Sequence, residues 1–182
     1  MDHVVRIVLP EEWPALRQLR LAALQDPAAP VAFLESYEDA AEQPDAFWMQ
    51  RAFRGAAEDS GVRQFVAEAP DGGLSGSVTV IVEEPGAATP FGGQVQQRQA
   101  QVVGVYVRPE YRGGGLIEAL LEAALEWSWT LRDVARVRLF VHERNARAEA
   151  AYRKAGFART GVTSPMPGGS SGQEVEMVVE RP

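Results

Sequence analysis

Between Val103 and Leu121 the chain reads Val103-Gly104-Val105-Tyr106-Val107-Arg108-Pro109-Glu110-Tyr111-Arg112-Gly113-Gly114-Gly115-Leu116-Ile117-Glu118-Ala119-Leu120-Leu121, a strand pattern passing through three glycines into a helix pattern. Such a turn presents backbone N–H groups at the positive end of a helix, which suits a phosphate or pyrophosphate. Glycine lets an anion come close because no Cβ stands in the way. A phosphate loop needs Lys-Ser or Lys-Thr after its last glycine, and Leu116-Ile117 stands there instead. The dinucleotide fingerprint fails as well, because Glu118 occupies the place of its third glycine. A plain strand-to-helix turn, with glycine serving sterics alone, remains open.

Other residues carry chemistry singly. Arg112 offers a guanidinium beside the turn, for a phosphate or for solvent. Asn145 stands where a short helix begins and can cap it. His142, Glu38, Glu83 and Glu84 are the side chains that could accept a proton, with a chain of waters as the alternative. Gly168-Gly169-Ser170-Ser171-Gly172 has the spacing of a hydrolase elbow. That elbow needs strand, sharp turn and helix, whereas Pro165-Met166-Pro167 precedes this match and a strand pattern follows it, so it reads as a loop tip. The chain has no cysteine and two histidines, His3 and His142. Thiolate chemistry, disulfides and a histidine-rich zinc site are therefore excluded, and no metal site is expected.

These residues need elements to position them. Val4 to Leu9 is a β-branched strand ended by Pro10, and Glu11 to Leu24 follows as a helix stopped by Pro27 and Pro30. Ala32 to Gly55 is a second helical region, bent or split at Pro44, with Asp45 as a helix start. Gln64–Ala69 and Leu74–Glu83 form a hairpin around Asp71-Gly72-Gly73. After a loop over 85–99, Gln101–Val107 is a strand, and Gly114 to Arg132 a long helix. On that helix Ile117, Leu120, Leu121, Ala124, Ser128 and Leu131 share one face, opposite Glu118, Glu122 and Glu126. Then come a strand Arg136–His142, a helix Asn145–Ala155, a strand fragment Phe157–Gly161 and a final strand Gln173–Glu180. The order β-α-α-β-β-β-α-β-α-β-β mixes hairpins with crossovers, which makes an α+β domain on a mixed, mostly antiparallel sheet flanked by helices.

With 182 residues, 46% of them hydrophobic and 24% charged, the chain has the composition of one globular domain spanning 1–182. The net charge of −7 repels nucleic-acid phosphates and mildly attracts cationic amines. No apolar run reaches the length of a membrane span, and Met1-Asp2-His3-Val4-Val5-Arg6 lacks the basic start of a secretory signal. The expected partners are thus neither nucleic acid nor membrane, and the expected location is the cytoplasm.

Taken together, two stretches carry a resemblance. Val107-Arg108-Pro109 ends a strand and Arg112-Gly113-Gly114-Gly115-Leu116-Ile117 opens a helix. Leu139-Phe140-Val141-His142-Glu143-Arg144-Asn145 comes about 25 residues later, followed by Ala148, Tyr152, Lys154, Gly156 and Phe157. In this order and spacing the sequence resembles the GNAT superfamily of acyl-CoA-dependent N-acyltransferases, closely over roughly 100–160 and in element order throughout. Phe33-Leu34-Glu35-Ser36-Tyr37-Glu38 also looks like the loop between the first two helices of small-molecule acetyltransferases in the family. One departure is Ile117, where the family's pattern ends in Gly or Ala; its side chain must turn into the core face of the helix.

The resemblance implies a co-substrate, acetyl-CoA, and an acetyl transfer to a primary amine of a small molecule. Backbone N–H groups from Arg112 through Gly113, Gly114, Gly115 and Leu116 to Ile117 would hold the pyrophosphate of coenzyme A. The strand at Val105 and Val107 would pair with the pantetheine arm, and one of its N–H groups would polarise the thioester carbonyl. Asn145 would touch the cofactor arm. Tyr152, otherwise a half-buried core tyrosine, would protonate the leaving thiolate as general acid. Phe33 to Glu38, Phe47-Trp48 and the 85–99 loop are expected to line the acceptor pocket. Alternatives are a protein N-terminal or lysine acetyltransferase, or an idle acyl-CoA-binding module. A homodimer is possible, with Trp127-Ser128-Trp129 at its interface or in the core.

Overall fold

Seven strands form one sheet in the order β1-β2-β3-β4-β5-β7-β6. They are β1 (Val4–Ile7), β2 (Val62–Glu68), β3 (Leu74–Glu83), β4 (Gln99–Val107), β5 (Arg136–His142), β6 (Ala158–Pro165) and β7 (Gln173–Glu180). The helices are α1 (Trp13–Leu24), α2 (Ala29–Ala32), α3 (Tyr37–Ala41), α4 (Asp45–Ala56), α5 (Leu116–Thr130) and α6 (Ala146–Lys154). This computed structural model describes residues 2–89, 93–166 and 171–182. The Gly-Gly-Ser stretch 168–170, read above as part of a loop tip, lies outside the described residues, as does part of the 85–99 loop.

Strand alternation divides the core. On β2, Phe65 and Ala67 join a cluster built with Leu116, Leu120, Leu121 and Ala124 of α5, while Val66 between them joins Leu16, Leu19 and Ala52 of α1 and α4. Helices therefore cover both faces, α5 on one and α1 with α4 on the other, as the period-2 alternation requires. The α5 stripe is buried at Leu120, Leu121, Ala124 and Ser128 as its spacing predicts; Leu116 enters it, while Ile117 and Leu131, the latter just past the helix end, are only partly buried. Trp127 and Trp129 are partly buried too, each under a guanidinium, Arg63 and Arg181 respectively, at 5.5 Å.

Several boundaries differ from expectation for identifiable reasons. The second helical region is split before Pro44, with α4 starting at Asp45 as expected, but Pro30 begins a further short helix, α2, instead of only ending one. It stands in the first turn of α2, where the missing N–H would have had no partner. β6 runs on to Pro165, beyond the expected Gly161. A register shift between Arg159 and Thr163, with Gly161 at φ +89°, lets the strand bend and then resume pairing with β7.

What positions the site is the middle of the sheet. All neighbouring strands pair antiparallel except β4 and β5, which are parallel and pair only at Ala100 with Val137 and Gln101 with Arg138. Beyond that point the strands diverge. Where they do, β4 carries one extra residue against β3: Val103 faces Thr79, but Tyr106 faces Ser77. The bulge contains Gly104 at φ +62°, a conformation glycine adopts freely, and bulges increase local twist. The edge of β4 from Val102 to Val107 is thereby left facing a cleft instead of a strand.

Candidate active site

The cleft between the diverging strands has a volume of about 370 Å³. Its walls are β4 from Val102 to Val107, the end of β5, one side of α6, the start of α5, and the segment from Asp26 to Phe33. Val105, Val107, Arg112, Gly113, Gly115, Leu116, Ile117, Asn145 and Tyr152 all line it; Gly114 belongs to the same turn but is not part of the lining. The tertiary structure thus brings together two sequence stretches about 30 residues apart.

The glycine turn is built for an approaching group. Pro109–Tyr111 forms a single 3-10 turn, after which Gly113 and Gly115 take φ +82° and +83°, and Gly115 caps α5. A Cβ added at Gly113, Gly114 or Gly115 would meet no atom within 4 Å. The glycines therefore relieve no crowding within the protein; they leave space in front of the α5 N-terminus, where N–H groups point outward. Such a cradle suits a phosphate group in charge.

Arg112 does not hold its charge free. Its Nε donates to the Val107 carbonyl at 2.9 Å, its Nη2 donates to Asp26 Oδ2 at 2.7 Å, and its guanidinium carbon stands 5.7 Å from the Tyr106 ring centroid. Burial pushes the Asp26 carboxyl up, but the N–H of Ala28 and the Arg112 guanidinium outweigh it and hold the group below the ordinary aspartate range. Two other cations reach the cleft, Arg147 and Lys154, both exposed and seven residues apart on α6. Sequence reasoning passed over Arg147 and Asp26; the seven-residue spacing, which places Arg147 and Lys154 on one helix face, was the available signal.

Asn145 caps α6, its Oδ1 accepting from the Ala148 N–H at 3.3 Å, while also lining the cleft. About two turns on, Tyr152 packs edge-on to Phe157 with centroids 6.2 Å apart. Its hydroxyl is pushed up to about 12, first by burial and second by the carboxylate of Glu174. Glu174 sits on β7 opposite His142, is buried, and also lines the cleft. Burial raises its own pKa, partly offset by His142. Nothing in the sequence marked Glu174, which comes into the site only through the β5–β7 register.

The candidate proton acceptors are differently placed. His142 is 2% exposed; its Nδ1 accepts from the Arg144 N–H at 3.1 Å and its Nε2 lies 3.2 Å from the Ser171 carbonyl. This arrangement specifies the Nε2–H tautomer with both nitrogens engaged. Glu83 is buried in a bidentate pair with Arg138 at 2.7 and 2.8 Å. Glu84 pairs with Arg98, and Glu38 is exposed in the first turn of α3. Of the four, His142 lines the cleft and Glu38, Glu83 and Glu84 do not. Among the described residues, no group of three or more His, Asp or Glu could hold a metal ion, and no helix is long and apolar enough to cross a membrane.

A second, smaller recess of about 30 Å³ lies on the α1–α4 side of β4. Gly104 and Tyr106 line both spaces, so the bulge is their common wall. A Cβ at Gly104 would also meet no atom within 4 Å. The recess is bounded by Arg20 and Ala23 of α1, Trp48 and Arg51 of α4, and Gln64, Ser77 and Thr79 of the sheet. Of the expected acceptor-pocket residues, Trp48 lines this recess and Phe33 the larger cleft, whereas no described residue of 85–99 lines either. Two guanidinium groups and one carboxylate, Glu35, give this corner a positive balance, opposite in sign to the whole chain.

Comparison with known proteins agrees with the architecture. The sequence model of the Acetyltransferase (GNAT) family matches residues 13–157. Mycothiol acetyltransferases of Salinispora tropica and Salinispora arenicola are 40% and 37% identical over 81 residues, 44% of this chain and 24% of theirs. The match thus spans about a quarter of those relatives' length. An acetyltransferase of the GNAT family from Streptococcus pneumoniae superimposes with a TM-score of 0.75 at 19% identity, over 99% of this chain and 100% of that one. PaiA N-acetyltransferase from Thermoplasma acidophilum, solved with coenzyme A, gives 0.73 at 18% identity over the whole of both chains. Spermidine N-acetyltransferase from Vibrio cholerae, solved with coenzyme A and spermine, gives 0.63 at 19% over 98% and 95%.

Proposed function

The chain belongs to the acetyltransferase (GNAT) family, and from that premise we propose that it transfers the acetyl group of acetyl-CoA directly to a primary amine of a small molecule. The observation that carries this reading is the continuity of one cleft from the glycine turn at the α5 N-terminus, along the unpaired edge of β4, to Tyr152. Acetyl-CoA supplies an activated thioester carbonyl. The α5 N-terminus and the glycine turn hold phosphates, the free edge of β4 at Val105 and Val107 offers backbone groups to an extended amide-bearing arm, and the bulge opens the wall toward the acceptor side.

In the transfer a nitrogen–carbon bond forms, the carbon–sulfur bond breaks, the amine gives up a proton and the sulfur needs one. Tyr152 supplies the second proton. Its raised pKa keeps the phenol protonated at neutral pH. Against a free thiol in water, at about 8.5, such a phenol is a reluctant donor. A thiolate formed beside it, however, feels the same burial and the same Glu174 carboxylate, so both anions are penalised together and the comparison shifts back toward balance. His142 is fully engaged and Glu83 is locked to Arg138, so the amine proton leaves to water from the acceptor side. The acceptor recess is small and closed in between α1, α4 and the sheet, which favours a small molecule over a polypeptide segment.

Two measurements test this reading. Calorimetry and thermal melting with coenzyme A at millimolar concentration should both respond, and acetyl-CoA with a panel of amines should release free thiol. A flat response to coenzyme A in both binding measurements sinks the proposal; binding without thiol release from any amine would instead make the chain an acyl-CoA-binding module.

A further inference from the structure

The second recess has two unlike walls. On the helical wall the polar residues are all donors, Arg20, Arg51 and Trp48, set among Leu16, Leu19 and Ala23. Arg20 is held by Glu35 at 2.9 Å and stacks on Phe33 at 4.6 Å, while Arg51 stands 3.9 Å from the same carboxylate oxygen and 5.8–5.9 Å from the rings of Trp48 and Phe47. Two cations therefore share one carboxylate. Burial of the guanidinium, and then the neighbouring Arg20, lower the pKa of Arg51 despite Glu35, although the side chain keeps 41% of its surface exposed. Trp48 is 1% exposed, and its Nε1–H has no hydrogen-bond partner. A buried indole donor without a partner carries a desolvation penalty that an acceptor oxygen brought against it would remove.

The sheet wall is different. Gln64, Ser77 and Thr79 bring side-chain oxygens to the side where Gly104 opens toward the large cleft; Thr79 pairs with Val103 and Ser77 with Tyr106, on either side of the bulge. At about 30 Å³ the space admits roughly two water-sized centres, the size of a carboxylate, with the amine a few ångströms away.

We propose that the acceptor is an amine that also carries a carboxylate close by, an α-amino acid or a compound presenting the same pair, with its carboxylate against Arg20, Arg51 and Trp48 Nε1 and its amine at Gly104. This rests on the acetyltransferase reading above and names its substrate class. Arginine is the side chain suited to a planar carboxylate, and an ion pair here replaces bulk water at a site whose positive charge is already under-compensated. A polyamine would instead bring further positive charge against two guanidinium groups. The chain's overall charge of −7 points toward cationic acceptors, but a field summed over the whole surface says little about a recess lined by two arginines.

The test uses the whole chain saturated with coenzyme A, whose binding is measured first. Failure at that step strikes the acetyltransferase reading itself. The saturated protein is then titrated calorimetrically with a set of N-acetyl amino acids and with the matching amides, which differ only in the carboxylate charge. At least one acid should bind about 10–100-fold more tightly than its amide, the range for hydrogen bonds to charged groups. Arg51→Gln should erase that preference while coenzyme A affinity stays unchanged, and Arg51→Lys should restore part of it. In turnover, free amino acids should exceed their amides and spermidine by a similar factor. If no acid binds more tightly than its amide, or if Arg51→Gln leaves the preference intact, the proposal is overturned even where acetyl transfer to other amines is found.

Discussion

Arg112 Nη2 lies 2.7 Å from Asp26 Oδ2, joining the glycine turn to the loop that follows α1 across 86 residues of sequence. The side chain of Asp26 is 8% exposed and that of Arg112 23%. One partly buried ion pair thus fixes the wall that carries Phe33 relative to the phosphate cradle, and Arg112 acts as a positioning residue as much as a charge.

Arg112→Gln and Asp26→Asn should therefore weaken coenzyme A binding in the same direction, although Asp26 is a carboxylate that would repel phosphate. A double-mutant cycle on thermal stability should show coupling of about 0.5–3 kcal/mol. Because the folded pKa of Asp26 is depressed, its contribution is present above the ordinary aspartate value of about 3.9 and is lost as pH falls through the lower folded value. If Asp26→Asn tightens coenzyme A, the pair hinders the cradle and does not build it.

Tyr152→Phe keeps the ring and its edge contact with Phe157 but removes the hydroxyl. Turnover should fall by about 10²–10⁴-fold, with coenzyme A affinity little changed. Difference absorbance on raising the pH should also lose a phenol that ionises near 12 in the parent. Turnover kept within about threefold would make Tyr152 a packing residue and send the proton by another route.

Glu174 gives a stability test with a definite sign. Its folded pKa is raised, so the native state holds a proton that the unfolded chain releases, and stability declines as pH rises through that interval. Glu174→Gln should accordingly raise the melting temperature at pH 7 and leave it unchanged near pH 3, well below the ordinary glutamate value of about 4.3, where the carboxyl is protonated in the folded and unfolded chain alike. The same change removes one of the two influences holding up Tyr152, whose ionisation should move down. A loss of stability at pH 7 would mean that the carboxylate is compensated by its surroundings.

Gly115→Ala addresses the cradle. Forcing a Cβ residue into the left-handed region costs about 1–2 kcal/mol, so melting should drop modestly. Since no protein atom lies within 4 Å of that Cβ, the methyl group projects into the space reserved for the anion, and coenzyme A affinity should fall further than stability does. Gly73→Ala in the β2–β3 turn, at ordinary φ and away from the cleft, should leave affinity intact. Equal loss of affinity in both variants would make the glycine turn a purely structural feature.

Local patterns were legible in the chain alone wherever a single element sufficed. β3, β5 and β7 begin and end where alternation places them, α5 buries the stripe its period predicts, and Asn145 caps α6 as its position before Ala146 requires. The glycine turn was legible too, because helix geometry fixes where its N–H groups point whatever surrounds them. Other properties depend on register and on distance between elements, which sequence spacing does not encode. The divergence of β4 from β5 arises from a one-residue bulge at Gly104, visible only against β3. Glu174 meets Tyr152 because β7 pairs with β5, and Arg112 meets Asp26 because α1 ends beside β4. The sign of charge at the acceptor recess was likewise decided by packing. Summed over the chain it is negative, yet folding places Arg20 and Arg51 together around one carboxylate, and a substrate feels the nearby charges far more than the total.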